Sequence, residues 1–316
     1  MANILITGIT GFIGRYLAQR LRALGHTVTG TTTTPSKFGL VCDLRDREAT
    51  FRVVRSVDPE IIFHLAALSS VTSGTTLQYY ETNLVGTENL MHAVDSFGDR
   101  RRFIFLSTAG VYGNQATDVL TEDLNPLPVS HYGISKFACE RLVGAFGERH
   151  DITIARPFNV VGVGQNSSFI VPKLIQHFVQ REPSIRLGRL DPVRDYIDVN
   201  SCCDILGALL ARSESIGQVV NVCSGRGTSV RQLLTTLTKI SGHEIDVISA
   251  PEFIRSNEVF RLLGSTEKLE NILQTRKSTL PIEDTLRDML LDATLLLQNS
   301  DPAVSDRRAV DQYVSK

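Results

Sequence analysis

Three glycines at intervals of three residues, placed between a β-branched run and an amphipathic segment, constrain this chain more than any other feature. Residues 3–7 form the run, Gly8, Gly11 and Gly14 are the glycines, and residues 15–24 form the amphipathic segment. Glycine lets the backbone turn tightly and lets another group approach it closely. The order of strand, glycine turn and helix therefore predicts the first unit of an α/β fold, with an anion-binding turn at the helix N-terminus.

Short apolar runs alternate with helix-length segments through much of the chain. The runs predicted as strands are 27–30, 61–65, 103–107, 152–155 and 219–223, and the segments predicted as helices are 81–97, 132–149 and 281–297. Strands that alternate with helices pair in parallel through right-handed crossovers. We therefore predict an α/β protein with a Rossmann-type doubly wound parallel sheet and a smaller C-terminal α/β domain that binds the substrate.

The domain division is predicted from a change of texture after about Arg156, where glycines, prolines and short helices interrupt the alternation. We assign residues 1–158 and about 195–224 to the dinucleotide-binding domain. Residues from about 159 to 194 and from 225 to 297 are assigned to the smaller domain. The polar end, 298–316, is predicted to be a flexible tail.

Composition excludes several classes of function. The net charge is −1, so no general electrostatic field indicates a nucleic-acid or membrane partner. No apolar stretch approaches the roughly 18 residues that a membrane span needs. The N-terminus lacks the cationic and apolar pattern of a signal peptide, so we expect a cytoplasmic protein with reduced thiols. Five cysteines without a Cys-x-x-Cys pair, and seven histidines without a His-Glu-x-x-His pair, give no support to a metal site.

The glycine turn predicts a dinucleotide site, because the free N–H groups of a helix N-terminus suit a pyrophosphate. A site that prefers NAD usually has an acidic residue about 20 residues later, which binds the ribose 2′-hydroxyl. This chain has a threonine run there, including Thr32 and Thr33, with Lys37 close behind. No carboxylate would repel a 2′-phosphate, so NADP(H) is favoured as the cofactor and NAD(H) stays possible.

Tyr132 and Lys136 stand four residues apart on a predicted helix, so their side chains share one face. Tyrosine is a poor general base at its ordinary pKa near 10. A neighbouring ammonium and a positively charged nicotinamide would favour the phenolate, and this is the physical reason for the pair. Thr108, at the end of the preceding strand, adds a hydroxyl that can orient a substrate oxygen. These three residues are the candidate catalytic group.

Together these motifs resemble the extended short-chain dehydrogenase/reductase family, also described as NAD-dependent epimerases and dehydratases. The resemblance rests on the glycine spacing with Phe12-Ile13, on Asp43-Leu44, on His64-Leu65-Ala66-Ala67, and on Thr108 followed by Tyr132-x-x-x-Lys136. It implies that Asp43-Leu44 meets the adenine and that 64–67 passes beside the cofactor. The residues it implies for cofactor binding are Gly8, Thr10, Gly11, Phe12, Ile13, Gly14, Thr32, Thr33, Lys37, Asp43, Leu44, Leu65, Ala66, Ala67, Tyr132, Lys136 and Pro157.

The resemblance also implies a nucleotide-diphosphate sugar as substrate. Arg156-Pro157-Phe158-Asn159 and Arg194-Asp195-Tyr196 resemble motifs whose Asn and Arg contact the sugar diphosphate, and Arg255 resembles a second pyrophosphate arginine. Two guanidinium groups suit a diphosphate because each can bind two oxygens. The residues implied for substrate binding are Thr108, Ala109, Asn159, Val171, Lys173, Arg194 and Arg255.

The reaction expected is reduction of a 4-keto-6-deoxyhexose by the nicotinamide, with Tyr132 as proton donor. Dehydratases of the family carry acidic residues at or just after the Thr108 position, and this chain has Ala109 and Gly110 there. Within the family, the pattern is most similar to the GDP-4-keto-6-deoxymannose reductases, and dTDP- or CDP-sugars would present similar groups. Two alternatives stay open: a nucleotide-sugar 4-epimerase with tightly bound NAD, and a dinucleotide-binding protein without catalysis.

A homodimer is expected, because the family commonly pairs through the two helices predicted at 81–97 and 132–149. Leu84, Leu90, Phe137 and Leu142 have the apolar character that such a seam requires. A place in the core of one subunit is the competing explanation for the same four residues.

Overall fold

The structure is a computed structural model, and it describes residues 1–69, 75–254, 258–275 and 278–300. These residues form two compact units. The first lies within Met1–Val160, Val193–Gly227 and Asn257–Thr279, and the second within Val161–Pro192, Thr228–Ser256 and Leu280–Lys316.

The secondary structure follows the predicted alternation of strands and helices. The strands are β1 (Asn3–Thr7), β2 (Thr27–Thr32), β3 (Leu40–Val41), β4 (Ile61–His64), β5 (Arg102–Leu106), β6 (Asp151–Pro157), β7 (Asn159–Val161), β8 (Ser184–Leu187), β9 (Val193–Asp198), β10 (Val219–Val222), β11 (Gly227–Ser229), β12 (Asp246–Ser249) and β13 (Arg261–Leu262). The helices are α1 (Phe12–Ala23), α2 (Arg47–Val57), α3 (Thr76–Tyr79), α4 (Gly86–Asp95), α5 (His131–Gly144), α6 (Ile170–Val179), α7 (Val199–Leu210), α8 (Val230–Ser241), α9 (Glu267–Leu273) and α10 (Ile282–Ser300).

The first unit contains a parallel sheet of seven strands in the order β10-β6-β5-β4-β1-β2-β3. This confirms the predicted Rossmann-type doubly wound fold. The chain leaves β1 towards β2 and β3 on one side and then returns to β4 on the other. In open α/β sheets the crevice at such a reversal, at the carboxyl ends of the strands, is where ligands bind. The residues that follow β1, β4 and β5 therefore lie at the edge where chemistry is expected.

Alternate residues of the central strands face two hydrophobic layers, as a sheet covered on both faces requires. Ile4 and Ile6 of β1 belong to the layer that contains residues of α1 and α7. Leu5 belongs to the opposite layer, with residues of α2, α4 and α5. Because both faces are buried, the strands consist of nearly continuous apolar runs, and this is why they were recognisable in the sequence.

The helices that flank the candidate site begin where local chemistry allows. Gly11 is the N-cap of α1, so the helix starts at Phe12 and not at residue 15 as predicted. Ser130 caps α5, and its hydroxyl accepts a hydrogen bond from the Gly133 N–H at 3.1 Å. The helix predicted at 81–97 starts earlier, with α3, and continues through a π-helical stretch, Tyr80–Val85, into α4.

The second unit contains the parallel pair of β8 and β12 and the mutually packed helices α6, α8 and α10. One boundary differs from the sequence division, which gave 225–297 to the smaller domain. Residues within Asn257–Thr279 belong to the first unit, because β13 pairs with β9 and α9 contributes Leu269 and Ile272 to the core around α1 and α7. Helix α10 reaches Ser300, so the first residues of the predicted tail are helical.

The described residues contain neither a cluster of metal-ligating side chains nor a membrane-spanning helix. No three histidine, cysteine, aspartate or glutamate side chains among them lie close enough together to hold a metal ion. None of the helices in the described part of the chain combines the length and the apolar character that crossing a membrane requires.

Candidate active site

The glycine turn is held tightly between β2 and the end of β4. The N–H groups of Gly8 and Ile9 both donate to the Thr31 carbonyl at 3.1 Å. Gly8 has a φ of +73°, and a Cβ added there would lie 3.0 Å from the Cα of Ala66. A Cβ on Gly14 would overlap the Gly8 carbonyl oxygen. The spacing of these glycines is therefore required by backbone contacts of the turn itself.

The N-terminus of α1 fits an anionic group. Its N-cap, Gly11, offers no side-chain cap, and the first turn of the helix contains no acidic residue. The helix therefore begins with N–H groups that no side chain of the cap satisfies, and its dipole favours negative charge there. Phe12 and Ile13 turn their side chains towards the core. This is the chemistry that a pyrophosphate requires, so the predicted cofactor residues of this turn fit the group.

The threonine run divides into a buried part and an exposed part. Thr32 is buried, and its hydroxyl lies 3.3 Å from the hydroxyl of Thr10 in the glycine turn. Thr33 is exposed, as is Lys37, whose ammonium lies 5.2 Å from the centre of the Phe38 ring. The structure thus joins Thr32 to the turn and leaves Thr33 accessible at the end of β2.

Asp43 and Leu44, predicted to meet the adenine, follow β3. The Asp43 carboxylate accepts two-pronged hydrogen bonds from Arg45, at 2.6 Å from Nη2 and 3.0 Å from Nε, which hold the pKa of Asp43 below its ordinary value. Leu44 is buried, and its carbonyl accepts a hydrogen bond from Asn89 at 2.8 Å. Asp43 is thus ionised and oriented by its neighbour.

A buried hydrogen-bond chain fixes the loop after β4, where Leu65, Ala66 and Ala67 lie. The Ala66 N–H donates to the Thr7 hydroxyl at 3.1 Å, and the same hydroxyl lies 2.7 Å from His64 Nδ1. The Thr87 hydroxyl donates to the Asn83 carbonyl, so it accepts from His64 Nε2 at 2.8 Å. Nε2 therefore carries a proton, and Nδ1 of the neutral ring accepts from the Thr7 hydroxyl. Burial and then the charge of Lys136 keep the pKa of His64 well below its ordinary value.

The three candidate catalytic residues come together after β5 and in the first turns of α5. Thr108 accepts a hydrogen bond from the Gly110 N–H at 3.1 Å, which leaves its own proton for another acceptor. It also forms a side-chain hydrogen bond with Tyr132. Lys136 is 2% exposed, with its ammonium 4.1 Å from the centre of the Phe105 ring.

Burial dominates the protonation of this group. It raises the pKa of Tyr132 to about 12, and the hydrogen bond with Thr108 opposes the rise. Burial also lowers the pKa of Lys136 to about 8, against the raising influence of Cys139 and Glu140. The expectation that Lys136 lowers the pKa of Tyr132 differs from this result, because desolvation disfavours the charged form of both groups. At neutral pH Tyr132 carries its proton and is an acid.

Asn83 was not among the residues assigned to the site from the sequence, and the structure shows that it joins two elements that carry them. Its side-chain oxygen accepts from the Leu68 N–H at 2.7 Å, and its side-chain nitrogen donates to the Ser135 hydroxyl at 3.0 Å. Asn83 therefore ties the loop after β4 to helix α5. It lies in the π-helical stretch Tyr80–Val85, a feature that often marks functional sites.

The predicted substrate residues lie in both units. In the first unit, Ala109 is buried and Asn159 begins β7, two residues after Pro157, the predicted cofactor residue that ends β6. Arg194 lies in β9 and donates to the carbonyls of Val193, at 2.9 Å, and Phe260, at 3.3 Å.

In the second unit, Val171 is buried in α6, and the ammonium of Lys173 donates to the Arg186 carbonyl at 3.1 Å. Arg255 lies outside the described residues. Asn159 follows β6 and Thr108 follows the neighbouring strand β5, so both lie at the same edge of the sheet. The assignment of Val171 and Lys173 to the substrate rests on the sequence alone.

The predicted dimer seam needs one correction. Leu90 is fully buried in the core with residues of α2 and α5, so it is not available to a second subunit. Leu84 and Leu142 are partly buried against the same core, and Phe137 against another cluster. The exposed apolar side chains on these helices are instead Leu77, Val85 and Ile134.

Comparisons with known proteins agree with this geometry. A sequence profile described as the NAD dependent epimerase/dehydratase family matches residues 4–223. A GDP-6-deoxy-D-talose 4-dehydrogenase of Aggregatibacter actinomycetemcomitans is 38% identical over 86% of this chain and 91% of its own length. A GDP-6-deoxy-D-mannose reductase of Pseudomonas aeruginosa is 30% identical over 92% and 96%. The structure of RMD from Pseudomonas aeruginosa complexed with NADPH superposes with a TM-score of 0.83, at 27% identity over 93% of this chain and 99% of that one.

Proposed function

This chain belongs to the NAD-dependent epimerase/dehydratase family, and from that membership we propose that it reduces C4 of a GDP-linked 4-keto-6-deoxyhexose. The observation that carries the proposal is the grouping of Thr108, Tyr132 and Lys136 at the edge of the sheet where the glycine turn also lies. A protonated phenol held by a hydroxyl can deliver a proton to a ketone oxygen.

The sugar nucleotide is proposed from two relatives. Both carry the GDP and 6-deoxy terms in their names, and one is named as a 4-dehydrogenase. D-talose and D-mannose differ only at C4, so one 4-keto sugar leads to either alcohol, depending on the face that receives hydride. The reductive direction is proposed because one of the two relatives is named as a reductase, and a protonated Tyr132, with a pKa of about 12, is the form that donates a proton to a ketone oxygen. A dTDP- or CDP-linked sugar would present the same keto group.

The residues have separate roles in the proposed reaction. Tyr132 donates its proton to the oxygen on C4, and Thr108 orients that oxygen. Lys136 carries a positive charge below pH of about 8 and holds the ribose next to the nicotinamide. The turn from Gly8 to Gly14 would hold the cofactor pyrophosphate at the start of α1. A reduced nicotinamide, when bound, supplies the hydride.

The cofactor is proposed to be NADP(H). No carboxylate follows β2, and Thr33 and Lys37 are exposed there, where a 2′-phosphate would be bound by hydroxyls and an ammonium. NAD(H) remains the alternative that a direct comparison of the two cofactors would identify.

The sugar diphosphate is proposed to be held by cationic and amide side chains. Arg194 and Arg255 would supply charge, and Asn159 a hydrogen bond. Thr108, Ala109, Val171 and Lys173 complete the proposed substrate residues. We also propose that the enzyme is a cytoplasmic homodimer, with Leu77, Val85 and Ile134 replacing Leu90 in the seam, which light scattering at micromolar concentration would test.

The direct test is an assay of the purified protein with a GDP-4-keto-6-deoxyhexose and NADPH or NADH. We expect a stoichiometric loss of the near-ultraviolet absorbance of the reduced nicotinamide, together with a single C4 alcohol by NMR. Interconversion of two C4 epimers without net loss of absorbance would identify a 4-epimerase. Absence of both reactions with GDP-, dTDP- and CDP-sugars would leave a dinucleotide-binding protein without catalysis.

A further inference from the structure

A buried ion pair lies beside the proposed catalytic residues and has no place in the mechanism above. Arg156 of β6 and Glu140 of α5 are each 4% exposed. Their contact is two-pronged, at 2.9 Å from Nε to Oε1 and 2.7 Å from Nη2 to Oε2. Burying two charges costs solvation, and apolar replacements of such pairs are often no less stable. A contribution to stability therefore does not by itself explain why the chain buries this ion pair.

The Glu140 carboxylate joins three elements that carry proposed site residues. Its own helix, α5, carries Tyr132. The Ser107 hydroxyl donates to Oε1 at 2.5 Å, and Ser107 directly precedes Thr108 at the end of β5. Arg156 holds the end of β6, next to Pro157 and Asn159. One side chain thus fixes two strand ends against the catalytic helix.

The same carboxylate acts on Lys136 through space. Glu140 follows Lys136 by one helical turn, so both side chains share a face of α5. Its negative charge favours the ammonium form of Lys136, which burial disfavours. Arg156 occupies both carboxylate oxygens, so Glu140 supports the charge of Lys136 from a fixed position.

Among the described residues, few other titratable groups lie around Lys136, and Tyr132 shares its face of α5. Cys139 faces it from the same helix, and His64, which is neutral, faces it from β4. The ring of Phe105 in β5 lies against the ammonium. Among the interactions that influence Lys136 in the described chain, Glu140 is therefore the carboxylate that favours its charged form.

We propose that Glu140 is a positioning residue, which sets the alignment of Thr108 and the charge of Lys136 through a network locked by Arg156. The inference rests on the proposed function, because it assigns Glu140 to the same reaction.

The test separates positioning from stability with a paired substitution. Glu140→Gln alone would leave Arg156 buried without a counter-charge and is expected to lower stability strongly. The double variant Glu140→Gln with Arg156→Met removes both charges. We expect its melting temperature to lie near that of the wild type. We expect its kcat to fall roughly 10- to 100-fold, because small misplacements of reacting groups have effects of that size.

Two single variants extend the test: the first probes the hydrogen bond of Ser107, and the second is its matched control. Ser107→Ala keeps the ion pair and removes only the hydrogen bond that leads to Thr108, so kcat should fall about tenfold. Thr153→Val removes an equally buried hydroxyl from the other end of β6, where it donates to the Ser215 carbonyl. It should leave kcat within about twofold of the wild type.

The titration of Lys136 distinguishes positioning from a purely structural role of Glu140, because a purely structural role would leave that titration unchanged. The ¹³C signal of its ε-carbon, assigned with Lys136→Met, reports protonation without any substrate. The double variant should titrate at lower pH than the wild type, and the alkaline limb of kcat/KM should move in the same direction.

Either an unchanged kcat in the double variant or an unchanged Lys136 titration overturns the proposal. A wild-type protein that is inactive on every sugar nucleotide would instead contradict the proposed function, and the NMR titration would still decide whether Glu140 sets the charge of Lys136.

Discussion

The described residues of the first unit include buried charged side chains, whereas those of the second unit do not. In the first unit, Lys136, Glu140 and Arg156 are almost fully buried beside the end of β5. In the second, Arg186 pairs with Glu252, and Arg231 with Asp191, through side chains that are at least half exposed. Exposed pairs contribute about 0–1 kcal/mol and rearrange easily, whereas buried charges have strong and fixed effects.

This difference indicates that the first unit contains the residues that carry out the proposed reaction. A proton transfer requires fixed groups with defined protonation, and the first unit provides them by burial. The surface of the second unit can change its charged residues at little cost in stability. We therefore expect substitutions in the buried group to remove the reaction itself. Substitutions among exposed arginines should change affinity at most.

The largest effect is expected for Tyr132→Phe, which removes the proton donor and keeps the ring. Steady-state kinetics should show a loss of about 10²- to 10⁴-fold in kcat with cofactor affinity retained. Tyr196→Phe is the matched control, because burial raises the pKa of Tyr196 to about 12 as well. Near wild-type turnover in the Tyr132 variant would contradict the assignment of the proton donor to the first unit.

The next effect is a pH-dependent gain of stability in Lys136→Met. The pKa of Lys136 is lowered from 10.5 to about 8, so the unfolded chain binds the proton more tightly. The free energy of unfolding of the wild type therefore rises as pH rises from about 8 to 10.5. Below pH of about 8, the wild type bears the full cost of the buried charge of Lys136. Chemical denaturation should show that the advantage of the Met variant is about 3 kcal/mol larger at neutral pH than at the top of the window. Lys239→Met is the matched control for the loss of a lysine side chain, because Lys239 is exposed on α8.

Arg194→Ala tests the proposed diphosphate contact. Each charge-assisted hydrogen bond contributes about 1.5–3 kcal/mol, so the Kd for GDP should rise about ten- to a hundredfold. NADPH affinity should stay unchanged, because the cofactor pyrophosphate is assigned to the glycine turn. Arg194→Lys should recover part of the loss, and Arg231→Ala serves as the exposed control. Arg255→Ala should behave like Arg194→Ala. Wild-type GDP affinity in both alanine variants would mean that neither arginine binds the diphosphate.

The smallest effect concerns cofactor choice. Thr33→Asp places a charge on the exposed end of β2 and should weaken NADPH binding about fivefold relative to NADH, with less effect at high salt. Thr32→Asp is less informative, because Thr32 is buried and the charge would also cost stability. Thr27→Asp, at the other end of β2, controls for charge. A wild type that already prefers NADH would contradict the assignment of this loop.

The sheet was predictable because its strands are short apolar runs buried on both faces. Residues 3–7 were predicted as the first strand, and β1 has those bounds. The start of α1 was missed by three residues, because glycine at the N-cap carries no side-chain signal. The placement of β13 and α9 with the first unit was also missed, since pairing with the distant β9 is not a local property.

The candidate site was predictable in its residues but not in its electrostatics. The spacing of Tyr132 and Lys136 shows that they share a helix face. It does not show how deeply they are buried, and burial decides both pKa shifts. The contact of Glu140 with Arg156 joins a helix to a strand, so no sequence period predicts it.

The most direct test of the central claim follows the hydride itself. NADPH labelled with deuterium on the transferred position of the nicotinamide is incubated with the enzyme and a GDP-4-keto-6-deoxyhexose. The account predicts one deuterium on C4 of the product sugar, transferred from one face of the nicotinamide, and none in the Tyr132→Phe variant within the same time. A product without deuterium on C4, or equal transfer by the variant, would contradict it.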